Sequence, residues 1–93
     1  MNSKPIVKVE RMHLLNGEGP TKAFCDLMIL DAFFVKGLKI VQGQKELFVG
    51  MPQQQSRDGK WYDIFFPASK EIRQGLQELV LEYYSEKQRT KEA

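Results

Sequence analysis

Apolar residues in the first two thirds of the chain come in short runs with a period near two, separated by glycine-rich and polar punctuation, which is the pattern of strands joined by turns. Ile6 to Leu15 opens the set. Asn16-Gly17-Glu18-Gly19-Pro20 follows as a loop, because the glycines tolerate positive φ and Pro20 has no amide proton to give a ladder. A second strand is predicted from about Thr21 to Leu30, with Ala23, Cys25, Leu27 and Ile29 on one face and Phe24, Asp26, Met28 and Leu30 on the other. Asp31-Ala32 leads into a third strand, Phe33 to Gln42, where Gly37 marks a bulge or a close backbone contact. After the turn at Gln42-Gly43-Gln44, Glu46 to Met51 forms a brief fourth strand ended by Pro52. Gln53 to Gly59 reads as a polar hairpin loop closed by Asp58-Gly59, and Lys60 to Phe66 as a fifth strand.

The period changes after Pro67-Ala68. Ser69 is placed as a helix N-cap, and Glu71 suits the positive end of the helix dipole. Ile72, Leu76, Leu79, Val80 and Tyr83 then make one apolar stripe, expected to face the sheet, opposite Lys70, Arg73, Gln74, Gln77 and Glu78. The helix is predicted to run to about Glu86. The remaining residues have no apolar side chain before Ala93 and are expected to fray. The pattern therefore predicts a single α+β domain over residues 1–93, with its core at about 6–86 and a tail at 87–93. Its architecture is an antiparallel-rich sheet of about five strands followed by one C-terminal amphipathic helix.

Composition narrows the class without changing this picture. The 93 residues are 42% hydrophobic and 28% charged, ordinary for a globular domain. A chain this short buries a modest fraction of its surface, so a second copy would be a natural source of stability. No stretch approaches the roughly 20 apolar residues of a membrane span, and Met1-Asn2-Ser3-Lys4-Pro5 lacks the apolar run of a signal peptide, so a cytoplasmic protein is expected. Fourteen Lys and Arg against twelve Asp and Glu give a net charge of +2, spread evenly along the chain, which argues only weakly for a polyanionic partner.

Candidate chemistry is sparse. Cys25 is the only cysteine and His13 the only histidine, so no intrachain disulfide is possible and neither a metal site nor a nucleophile–base set is expected. Asp26, Asp31, Asp58 and Asp63 lack the spacing of a metal loop or an acid–base pair, and the glycines form no phosphate-binding fingerprint. The expectation is no catalytic residue, no cofactor and no enzyme activity. What remains is a set of basic and aromatic residues close together: Arg57, Lys60, Trp61 and Tyr62 around the hairpin, then Lys70 and Arg73 at the helix start. Such cations neutralise phosphates and release counterions, and a helix N-terminus adds backbone donors. Against that stands the simpler reading that Trp61 packs and that isolated basic residues decorate any surface.

Leu47-Phe48-Val49-Gly50-Met51-Pro52, followed by Asp58-Gly59, Asp63-Ile64 and Pro67, resembles the SpoVG family, as do Leu30-Asp31-x-x-Phe34-Val35, Gly43, Arg73-Gln74-x-x-Gln77 and Tyr84, an ordered set covering about residues 7 to 84. The resemblance implies a homodimer joined through the sheet, site-selective binding to DNA and RNA in gene regulation, and a link to septation and, in spore formers, sporulation. It carries Arg11, Lys22, Lys39 and Arg73 as phosphate contacts or sheet-surface charges. This chain departs from the family at Gln54 and Gln55, where a basic pair is usual, and at Tyr62, often arginine; Arg57 and Lys60 introduce charges nearby. Each lost cation should lower the salt dependence of binding by about one counterion. The rival expectation is a protein-interaction module in cell division, in which the sheet edge or Tyr83 and Tyr84 recruit a division or regulatory protein.

Overall fold

Alternation along the strands produces a four-stranded antiparallel meander. In the computed structural model, which describes residues 6–92, the strands are β1 (Val7–Leu14), β2 (Thr21–Ile29), β3 (Phe33–Gln42) and β4 (Leu47–Gly50), paired in the order β1-β2-β3-β4. A two-stranded hairpin of β5 (Gln53–Gln55) and β6 (Trp61–Asp63) follows, then the helix α1 (Lys70–Glu92). The predicted α+β class and strand-then-helix order hold.

Three bulges adjust the sheet. Glu10 is the extra residue between the Val9–Leu27 and Arg11–Asp26 pairs, so the inward set of β1 changes phase from Val7 and Val9 to Met12 and Leu14. Lys36 and Gly37 together oppose Asp26, with Gly37 at φ +96°, the bulge predicted there. Lys22 is the extra residue near the start of β2. Such insertions raise local twist and bend the strands, which curls the sheet around α1. Met12, Ala23, Cys25, Leu27, Leu38, Ile40, Val49 and Met51 meet Leu76, Val80 and Tyr84 of the helix in a core with no buried polar side chain among the described residues.

Ser69 caps α1 as predicted, its hydroxyl accepting from the Ile72 amide at 3.2 Å. Four features differ from the sequence expectation. Gln53–Gln55 is a strand rather than loop, because its partners in β6 supply the ladder that glutamine's weak strand preference does not announce. The helix continues past Glu86 to Glu92: no glycine or proline lies between those two residues, Arg89 pairs with Glu86, and Gln88 donates to the Tyr84 hydroxyl at 2.8 Å. Its buried stripe is Leu76, Val80 and Tyr84, whereas Ile72, Leu79 and Tyr83 are exposed. The rotation packs the Tyr84 ring into the core beside Leu76 and Val80 and brings the Gln77 side-chain oxygen to accept the Val49 amide of edge strand β4 at 3.1 Å. Finally, the β2–β3 turn centres on Leu30 and Asp31, both left-handed at φ +55° and +54°, and is held by the Ala32 amide on the Ile29 carbonyl and by Lys8 against Asp31 at 3.1 Å. A left-handed conformation costs such residues about 1–2 kcal/mol each.

Candidate functional site

Residues opposite one another in the ladder share a face of the sheet. While Cys25 and Leu38 point into the core, the adjacent row His13–Phe24–Lys39–Gly50 crosses all four strands on the other side. Thr21–Val41–Phe48, Arg11–Asp26 and Lys8–Met28–Phe34 make parallel rows on that same side. Among the described residues no helix covers this side. Aromatic rings stand on it among cations, with Phe24, Phe34 and Phe48 all exposed.

Three grooves run together across this side and its margin. The first, between β4 and the start of α1, is lined by Lys70 and Arg73 together with Glu46, Glu78 and Gln77. The middle groove, of about 500 Å³, lies where the β5–β6 hairpin overhangs the open face and is lined by Lys36, Lys39, Phe48 and Trp61 with no acidic side chain. The third holds Arg11 and Lys36 beside Glu10, Asp26 and Phe34. Phe48 lines both the first and the middle groove, and Lys36 both the middle and the third, so the three form one band.

Of the seven cations singled out in the sequence, the band brings together Lys70, Arg73, Lys39 and Arg11. Arg57 and Lys60 sit exposed at the hairpin tip, and Lys22 is half-buried at its bulge. None of the seven is in an ion pair among the described residues. Sequence reasoning missed Lys36 and Phe48 as site residues. The signal for Lys36 is its place before Gly37, whose bulge sets that strand's outward side chains; for Phe48 it is alternation with the inward Leu47 and Val49.

The hairpin is held by its own side chains. Its three-residue loop, Arg57-Asp58-Gly59, closes through the Ser56 amide on the Lys60 carbonyl, with Gly59 at φ +88° as the left-handed residue the Asp-Gly pair predicts. The Ser56 hydroxyl donates to Asp58, and the Lys60 amide does so at 3.2 Å; together they hold the Asp58 carboxyl below its usual range. Gln55 donates to the Gly59 carbonyl at 3.1 Å and Gln53 to Asp63 at 2.8 Å. Gln55, one of the two glutamines standing where a basic pair is expected, is therefore a clamp on the turn.

His13 stands on the open face while Cys25, one row away, is buried in the core, so the single imidazole and the single thiol are on opposite sides of the sheet. Burial first, and the Asp26 carboxylate second, push the Cys25 thiol up to about 11, leaving it protonated at neutral pH. Among the described residues no group of His, Cys, Asp and Glu gathers in a way that could hold a metal ion.

The SpoVG family model matches residues 5–86. A protein of Archaeoglobus fulgidus named "Putative septation protein SpoVG" is 38% identical over 78 residues, covering 84% of this chain and 92% of its own. Proteins of the same name from Agathobacter rectalis and Staphylococcus carnosus are 35% and 34% identical, covering 80% and 82% of this chain and 85% and 71% of their own.

Proposed function

The chain belongs to the SpoVG family, and from that premise we propose that it is a homodimeric regulator that binds DNA or RNA, acting in septation and, in a spore-forming host, in sporulation. The observation that supports the nucleic-acid part is the band of grooves: Arg11, Lys36, Lys39, Lys70 and Arg73 stand along one continuous track, none in an ion pair among the described residues. Cations left uncompensated on a surface are the groups that replace condensed counterions on a phosphate chain. Arg57 and Lys60 extend the same potential from the hairpin tip. In this reading the protein works by binding and not by turnover, and it acts in the cytoplasm; no described helix is long and apolar enough to cross a membrane.

Titration with mixed DNA and RNA fragments over a range of salt concentrations, with the mass in solution measured alongside, tests this. A dimer whose affinity falls steeply with salt is expected, and Arg57→Ala with Arg73→Ala should weaken binding and flatten the slope by roughly one counterion each. Binding absent at low salt would overturn the reading.

A second reading has its own observation. Ile6, Phe65, Pro67, Ile72 and Leu79 line an apolar depression of about 350 Å³, and Ile6 and Ile72 are more than half exposed. An apolar surface of this kind suits a protein partner, either the second copy of the dimer or a division protein. Tyr83 remains available to such a partner at 39% exposure, but Tyr84, expected beside it, is buried in the core at 8%.

A further inference from the structure

We infer that the middle groove takes a single-stranded segment of nucleic acid, with bases stacked on Trp61 and Phe48 and the backbone phosphates on Lys36 and Lys39. This rests on the nucleic-acid reading above and adds which form is bound and where. Of the three grooves it is the one whose lining pairs two cations with no carboxylate, whereas the first and third each carry two acidic side chains that oppose a phosphate. Its rings are available: Trp61 is 62% exposed and Phe48 43% exposed, although both line a groove. Its floor is low, because Gly50 puts no side chain on the open face opposite Lys39 and Gly37 reaches φ +96° at the bulge, so a flat base can approach the backbone.

The choice of single strand over duplex follows from the rings. An aromatic face stacks on a base only when that base is unstacked from its neighbours, which a single strand permits and a paired helix resists. Stacking is indifferent to base identity and to the sugar, so the groove accepts DNA and RNA single strands alike. Gln53 at the groove's edge gives one amide hydrogen to Asp63, which leaves its second N–H and its side-chain oxygen for a ligand.

Trp61 is the only tryptophan, so its fluorescence reports on this groove alone. The full chain is titrated with a short oligothymidylate, the matching oligouridylate and a duplex of the same length, with anisotropy of labelled strands recorded in parallel. Both single strands should quench Trp61 and bind more tightly than the duplex. Phe48→Ala should weaken single-strand binding by about 5- to 150-fold, and Lys39→Ala should lower the slope of log affinity against log salt by about 0.7. Phe48→Leu, which keeps the apolar contact on β4 but removes the ring, guards against misfolding and should weaken binding in the same direction. Trp61→Ala, followed by anisotropy, should do so too. Duplex binding that persists while single strands bind no better and leave Trp61 unquenched would overturn this inference and leave the nucleic-acid reading standing. Absence of binding to every strand at low salt would remove both.

Discussion

The two faces of one sheet differ in almost everything except their backbone. On the helix side, Ala23, Cys25, Leu27, Leu38 and Ile40 are at most 1% exposed and no polar side chain is buried among the described residues. On the other side, one residue along each strand, stand Phe24, Asp26, Lys39 and Arg11. A period of two is enough to write both surfaces into the same strands. What it cannot do is explain why large rings are left in water on the second face: Phe24, Phe34 and Phe48 would lower the free energy if covered. In the proposed function their exposure beside Arg11, Lys36 and Lys39 gives that face to a ligand and the helix side to stability.

The largest expected effect lies on the covered face. Leu38→Ala should cost about 2–5 kcal/mol in denaturant unfolding, through lost burial and the cavity left behind. Phe24→Ala, one ladder row away on the open face, should cost about 1 kcal/mol or less. Equal losses at the two sites would mean that the open face is packed after all.

A second contrast comes from pH. The folded state keeps the Cys25 proton up to about 11, while an unburied thiol loses it near 9.0. Stability should therefore be unaffected by this group below pH 9 and fall as pH rises toward 11, by at most about 1.4 kcal/mol per pH unit. Cys25→Ala should remove that part of the decline, which the difference between the two unfolding profiles measures.

Gly37→Ala comes next. A β-carbon there would meet Pro52 at an ordinary 3.7 Å, so its cost arises from the left-handed φ and should be about 1–2 kcal/mol. Because the same bulge floors the middle groove, the variant should also weaken binding. The smallest effect is at the hairpin tip, where Asp58 titrates below its usual range. Its contribution is present above the ordinary carboxylate pKa and is lost as pH falls through the lowered value; faster amide exchange at Lys60 in acid, abolished in Asp58→Asn, would show it.

Most of the fold was legible because its signals are local. Ser69 before the helix, Gly37 in β3 and Asp58-Gly59 in the hairpin each state a backbone requirement within a few residues. The features that were not legible depend on distant partners. Gln53–Gln55 becomes a strand only because Trp61–Asp63 pairs with it, and α1 turns Tyr84 inward and Tyr83 outward as it packs on the sheet, with Gln77 reaching the Val49 amide. Leu30 takes a left-handed turn with no glycine or asparagine to announce it. The candidate site divides in the same way. Single cations could be named from the sequence, but the band they form appears only when β1, β3, β4, β6 and α1 meet, so Lys36 and Phe48 were missed while Arg57 and Lys60 fell outside it.

The division of the sheet into a stabilising face and a binding face is tested most directly by lysine-acetylation footprinting of the full chain, with and without a short single-stranded oligonucleotide. Lys36 and Lys39 should become protected while the exposed Lys87 of α1 stays as reactive as in the free protein. Protection of Lys87 with Lys36 and Lys39 unchanged would place the nucleic acid on the helix and contradict the account.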